Sequence, residues 1–201
     1  MTEGPPESRA ALRRARVAPG YCVAVPELTT ARLLLRPWTD DDVDFALDLH
    51  SRWEVQRFLG AEPRVVTDRA EAVERVARYR SLDDHPVHGV WLITDRDGGR
   101  RHGTLLLKDI PLSGSTLPLQ PSGETEIGWH LHPDSWGHGY ATEAAAAVLA
   151  RALAAGLPRV VAVTYPENEA SQRVALRLGM EHRGTTDRFY NVTSELFVKV
   201  A

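Results

Sequence analysis

Residues 136–143 read Trp-Gly-His-Gly-Tyr-Ala-Thr-Glu and run straight into an alanine-rich segment. Two glycines, one residue apart, stand where a strand-like segment gives way to a helix-like one. Glycine accepts positive φ and lets backbone approach a ligand closely. The first turn of a helix leaves N–H groups unpaired, and the helix dipole makes that end electropositive, so successive amides there suit a phosphate. No lysine followed by Ser or Thr comes after the glycines, as a P-loop requires. They are also too few and too close for a dinucleotide fingerprint. These residues read as a phosphate site at the head of a helix; a plain glycine turn is the alternative they leave open.

The strand before the turn, Glu124 to Leu131, alternates. Glu124, Glu126, Gly128 and His130 fall on one face, and Ile127, Trp129 and Leu131 on the other. His130-x-His132-x-Asp134 has the opening of a dinuclear metallo-hydrolase site, whose imidazole and carboxylate ligands suit zinc. The sixth position is Ser135 rather than His, and further ligands would have to come from scattered positions such as His182 and Asp187. No metal is expected, and the metallo-hydrolase reading stays a remote alternative. His85, His88 and His102 read as loop or strand-end residues without partners.

The remaining elements must position these groups. Residues 1–25, rich in Pro, Gly, Arg and Ala, read as a mobile arm with a short helix at Arg9–Val17. Leu28–Arg36 reads as the first strand, ended by Pro37, with Thr39 or Asp40 capping a helix over Asp41–Leu49. Helical spacing continues over Trp53–Leu59 and again from Thr67-Asp68. His88–Thr94 and Thr104–Lys108 read as a hairpin around Asp97-Gly98-Gly99. Residues 109–122 read as a long loop of the kind that often binds ligands. A helix over Gly139–Ala155 is stopped by Gly156 and Pro158, and Arg159–Thr164 is an apolar strand of the sort buried on both faces. Asn168 caps a helix that Gly179 closes, and two strands follow, about Met180–Thr186 and Phe189–Val200. This order gives an α/β fold, a mixed sheet of six to seven strands with helices on both faces, in one domain over residues 26–201.

The chain has 201 residues and a formal charge of −3, so it has length for a sizeable core and no electrostatic footprint for nucleic acid. A single cysteine, Cys22, excludes an internal disulfide framework and fits a reducing compartment. No apolar run approaches the ~20 residues that span a bilayer. The N-terminal arginines precede no apolar segment, so no secretory signal is read and a cytoplasmic protein is expected.

Four segments, in register, resemble one family. Leu28-Thr29-Thr30-Ala31-Arg32-Leu33-Leu34-Leu35-Arg36-Pro37, Glu126-Ile127-Gly128-Trp129, Trp136-Gly137-His138-Gly139-Tyr140-Ala141-Thr142-Glu143-Ala144 and Asn168-Glu169-Ala170-Ser171 with Leu178-Gly179-Met180 are similar to the GNAT N-acetyltransferase superfamily, in its ribosomal-protein-alanine acetyltransferase-like branch. The resemblance spans about residues 28–200. It departs in three places: His138 stands where Lys or Arg is usual, Met180 replaces Phe, and Ala175 stands where many members carry a tyrosine general acid.

The resemblance implies an acetyl-CoA-dependent N-acetyltransferase. Amides of Gly137, His138, Gly139, Tyr140, Ala141 and Thr142 would hold the pyrophosphate. The Ile127 and Val161 strands should splay, and edge amides from Ile127 through Trp129 to Leu131 would pair with the pantetheine arm. Asn168 and Ser171 would also meet the cofactor. Glu126 is the first choice of base, with Glu124 and His130 second, and Ser171 would protonate the leaving thiolate without any acyl-enzyme. The acceptor is expected to be an amine, of a small molecule or a protein N-terminus, met by Trp53–Arg64 and Asp109–Gly123. Glu54, Glu62 and Asp109 there would attract a cation. Neither nucleic acid nor membrane is an expected partner; the protein is read as monomer or homodimer, an exposed Trp136 or Trp38 being a possible dimer signal. A non-catalytic acyl-CoA-binding module on the same fold is the alternative reading.

Overall fold

The computed structural model describes residues 25–201. The expected arm up to residue 24, its short helix and Cys22 lie outside the described residues, while Val25, read as the end of that arm, is buried in the core. The first strand is two: β1 (Leu28–Thr29) and β2 (Leu33–Pro37). The break falls at Thr30, whose hydroxyl accepts the Leu33 amide and whose own amide donates to the Leu33 carbonyl. This local side-chain turn outcompetes extended backbone, and Leu28 and Thr29 fold back onto Leu35 and Leu34.

Thr39 and Asp42 form a capping box around a short 3-10 turn, Asp40–Asp42, which leads into α1 (Val43–Ser51). After α2 (Trp53–Gln56), α3 (Arg69–Arg80) starts where the Asp68 carboxylate accepts the Glu71 amide. The hairpin strands β3 (Gly89–Asp95), β4 (Arg101–Pro111) and β5 (Pro121–Leu131) follow. The long loop expected over 109–122 is shorter than that, with strand taking both of its ends and leaving loop between β4 and β5. Asp109 pairs with Thr125 and Ile110 with Glu124, because Ile110 is buried against Val161, Phe189 and Val198. Then come α4 (Tyr140–Ala154), β6 (Arg159–Thr164), α5 (Glu169–Arg177), β7 (Glu181–Thr186) and β8 (Ser194–Val200). The last strand begins at Ser194 rather than Phe189, since Tyr190 and Asn191 adopt φ of 59° and 57° and cannot continue a strand.

These strands make one eight-stranded sheet, one more than the upper expectation, ordered β1-β2-β3-β4-β5-β6-β8-β7. Helices cover both faces. On one, Leu33, Leu35, Ile93, Leu105, Leu107 and Ile127 meet the small residues Ala144, Ala145 and Ala152 of α4 and Ala175 of α5. On the other, Val90 and Leu92 meet Val43 and Ala46 of α1 and Ala72 and Val76 of α3, with Trp38 enclosed among them. Trp38 is thus core and no dimer signal. Each buried Leu or Ile contributes about 1.5–3 kcal/mol relative to exposure.

Every neighbouring pair of strands is antiparallel except β5 and β6. That parallel pair is in register at Glu126 and Val161 alone. Beyond it the strands part, so the expected splay is present, and every later feature of the site is arranged around it.

Candidate active site

The parting of β5 and β6 opens a cleft of about 1180 Å³. Ile127, Trp129 and Leu131 of β5 form one wall, and Ala162 to Thr164 of β6 with Asn168 and Ser171 of α5 form the other. Residues Gly137 to Thr142 close one end, and Glu126, Lys108 and Tyr190 lie in the same cleft. The residues expected to meet cofactor, and Glu126, are therefore brought to a single cavity. The Trp129 indole N–H is buried there with no partner among the described residues, an unspent donor of the kind a bound polar group satisfies.

The turn before α4 is built on left-handed glycines. Gly137 and Gly139 have φ of 79° and 78°, and Gly139 is the residue at the helix cap. The turn is braced from behind. The Trp136 indole donates to the Leu131 carbonyl at 2.8 Å, and His102 lies 2.8 Å from both the Ser135 hydroxyl and Asp95. His102 is thus a buried tie between the turn and the β3–β4 hairpin, not the unpartnered residue its sequence context suggested. His88 likewise pairs with Thr125 and stacks on His85. Trp136 is 47% exposed.

Arg32 brings a cation to this turn. Its guanidinium donates to the His138 carbonyl at 3.0 Å, lies over the Tyr140 ring and pairs with Glu143 at 2.7 Å. Glu143 also accepts from the Thr30 hydroxyl and the Arg32 amide. Burial by itself would raise the Glu143 carboxyl; the bonds from Thr30 and Arg32 outweigh it and hold it below the usual range. The opening strand motif and the glycine turn are therefore stapled into one unit through Glu143.

Three candidate bases separate clearly. Glu124 is taken up by Arg159 at 3.2 Å and Arg188 at 2.7 Å. His130 is buried against the His50 ring, with centroids 5.1 Å apart. Burial, and then the charge of Arg75, push its pKa down to about 3. His130 is neutral near pH 7 but a weak proton acceptor. Glu126 is 8% exposed, accepts the Tyr190 hydroxyl on Oε2 at 2.5 Å and lies 3.5 Å from the Lys108 ammonium. Among the described residues its other oxygen, Oε1, has no hydrogen-bond partner.

Asn168 caps α5, its side chain accepting the Ser171 amide at 3.2 Å. On the acceptor side, Glu54, Val55 and Arg57 to Gly60 line the cleft, as expected of the Trp53–Arg64 segment. Asp109–Gly123 does not line it. Instead that segment props the chain around Tyr190: the Ser113 amide donates to the Arg188 carbonyl, the Ser113 hydroxyl to the Asp187 carbonyl, and the Gly114 amide to the Asn191 side chain.

His132 lies 3.2 Å from Asp48 and 3.6 Å from Asp134, and among the described residues no three His, Cys, Asp or Glu side chains are grouped to hold a metal. Among them, too, no helix is long and apolar enough to cross a membrane. Sequence reasoning missed Tyr190 and Lys108. A continuous last strand hides Tyr190; the Asn that follows it, a residue tolerant of left-handed backbone, is the available signal of a turn.

A family model for the acetyltransferase (GNAT) domain matches residues 32–181. The chain is 30% identical over 165 residues to the uncharacterized N-acetyltransferase YoaA of Bacillus subtilis (strain 168), covering 82% of this chain and 88% of that one. It is 28% identical over 169 residues to the FsC-acetyl coenzyme A-N(2)-transacetylase of Aspergillus fumigatus, covering 84% and 69%. Among solved structures, an acetyltransferase from Agrobacterium tumefaciens matches with a TM-score of 0.69 at 23% identity, over 92% of this chain and 99% of that one. The RimL alpha-N-protein acetyltransferase in complex with coenzyme A matches with a TM-score of 0.66 at 18% identity, over 88% and 97%. The splayed strands, the glycine turn and these matches agree: the chain belongs to the GNAT acetyltransferase family and is an acetyl-CoA-dependent N-acetyltransferase.

Proposed function

We propose that the chain moves the acetyl group of acetyl-CoA onto a primary amine, of a small molecule or a protein N-terminus, by direct attack and without an acyl-enzyme. The observation that carries this reading is the parting of β5 and β6 beyond the Glu126–Val161 pair. It leaves the β5 edge from Ile127 to Leu131 without a neighbouring strand on that side, beside the amide-rich head of α4. The pantetheine arm fits there as a short added strand. Amides of Gly137 to Thr142 face the pyrophosphate, and the Asn168 side chain is within the same cleft. Backbone donors already fixed beside the thioester carbonyl stabilise the charge that builds on its oxygen.

A protonated amine has no lone pair, so attack needs a proton acceptor. Glu126 fills that role through Oε1. The new bond joins the amine nitrogen to the acetyl carbon as the carbon–sulfur bond breaks. The nitrogen's proton passes to Glu126, and the departing thiolate takes a proton from the Ser171 hydroxyl or from water, which then recover it from solvent.

The test is incubation with acetyl-CoA and a panel of primary amines, small polyamines and amino acids beside short peptides with free N-termini. Thiol release and the mass of the acetylated amine are read together. An amine gaining one acetyl group in step with thiol release is the expected result. Thiol release without any acetylated amine across the panel would overturn the reading.

A further inference from the structure

We propose that Tyr190 is a positioning residue for acetyl transfer: it anchors one oxygen of Glu126, with Lys108 behind it, so that the other oxygen is presented to the acceptor amine. The proposal rests on the amine-acetylation reading above.

The three groups form a chain with only one direction. The Lys108 ammonium can only donate, and the Glu126 carboxylate can only accept. Lys108 Nζ lies 2.5 Å from the Tyr190 hydroxyl, and that hydroxyl lies 2.5 Å from Glu126 Oε2. With the lysine donating into its oxygen, the phenol has one place to send its single hydrogen, which is the carboxylate. The hydroxyl is thereby a fixed donor rather than a rotor.

The phenol stays protonated in this setting. Burial, then the Glu126 charge and the hydrogen bond to it, push its pKa above the usual phenol range. With its hydrogen committed to Glu126, Tyr190 acts as a hydrogen-bond donor to the carboxylate rather than as the acid of the reaction. Lys108 Nζ is 3.5 Å from Oε2, close enough to offset the carboxylate charge but farther than a direct hydrogen bond. The phenol is what stands between them.

Backbone rigidity gives this arrangement its precision. Tyr190 and Asn191 both adopt left-handed conformations, which non-glycine residues rarely hold without outside support. The support is the β4–β5 loop. Leu112 bridges to Phe189, the Ser113 hydroxyl accepts the Asn191 amide, and the Asn191 side chain bonds the Gly114 amide and carbonyl. Removing the phenol oxygen should let the Lys108 ammonium close on Glu126 directly, engaging the carboxylate and turning it from the cleft.

Tyr190→Phe keeps the ring and the backbone, and the experiment compares it with wild type and with Lys108→Met. Each is assayed by thiol release with the amine of the panel that wild type acetylates fastest, across pH, with acetyl-CoA affinity measured by calorimetry. The expected result for Tyr190→Phe is a fall in kcat of about ten- to hundredfold, the worth of a hydrogen bond to a charged group. Its acidic limb of kcat/KM should move relative to wild type, and its acetyl-CoA affinity should stay within about twofold, since the phenol is not among the groups assigned to hold the cofactor. Lys108→Met should lose less, since the phenol still reaches Glu126. Wild-type turnover by Tyr190→Phe, or an equal loss at every pH with an unmoved limb, would overturn the positioning role alone. A wild type that acetylates no amine would overturn the function reading and this one with it.

Discussion

Tyr190 and Glu126 lie 64 residues apart in the chain and meet in a 2.5 Å hydrogen bond, hydroxyl to carboxylate. The meeting depends on two features of unrelated origin. Glu126 sits at the last point where β5 and β6 are in register, so its carboxylate marks where the sheet begins to open. Tyr190 sits on a left-handed bend that the β4–β5 loop holds in place. On the proposed reading, neither residue is poised for chemistry without the other element.

The loop's grip on Asn191 yields a graded prediction. Asn191→Gly keeps the left-handed backbone and loses two bonds to Gly114. Asn191→Ala loses them and adds about 1 kcal/mol of backbone strain. Both should lower kcat through Tyr190 while acetyl-CoA affinity holds, and thermal melting should rank wild type, Gly, then Ala. A melt that ranks Ala above Gly would refute the strain argument.

Gly139 separates strain from charge at the phosphate turn. Its φ of 78° is unfavourable for any residue with a Cβ, so Gly139→Ala should weaken acetyl-CoA binding modestly. Gly139→Glu carries the same strain and adds a carboxylate where the pyrophosphate belongs. Calorimetry should find it at least about a hundredfold weaker than Gly139→Ala, from lost dipole and amide contacts and added repulsion. Equal affinities for the two variants would mean that the phosphates lie elsewhere.

Acid should destabilise the fold through His50 and His130. Burial first, then neighbouring positive charges, push His50 down to about 2 and His130 down to about 3. In the unfolded chain both protonate near 6.5. Between about pH 6.5 and 3 the unfolded state therefore binds more protons, and stability falls as pH drops through that window and is unaffected by these groups above it. Melting curves from pH 7 to pH 4 should show the fall, with a shallower slope in His130→Asn, which removes one of the two groups. An unchanged slope in that variant would remove His130 from the account.

Much of this molecule is legible in its amino-acid sequence, for physical reasons that differ by element. The glycine turn, the caps at Asp68 and Asn168 and the β6 strand are local: short-range sterics and side-chain-to-backbone bonds fix them, and sequence displays those directly. The splay and the Glu126 placement follow from resemblance, because four spaced motifs carry more information than any one of them. What stays hidden is non-local. The Thr30 turn that divides the first strand is secured by Glu143, more than a hundred residues on. The Asp109–Gly123 segment has the composition of a binding loop, yet its role is to brace residues 187–191. Tyr190 is hard to read in sequence because the bend that aims it, hinted at only by the Asn that follows, is held by that brace.

The central claim is that Glu126 takes the proton from the acceptor amine. The most direct measurement is steady-state acetylation by Glu126→Gln beside calorimetric titration of the same variant with acetyl-CoA. The amide keeps the size and still accepts from Tyr190, but it cannot serve as a base. The account predicts acetyl-CoA affinity within about twofold of wild type and a kcat lower by about a hundredfold or more, the usual contribution of a positioned base. Wild-type kcat in Glu126→Gln would contradict it and move the proton acceptor to another group.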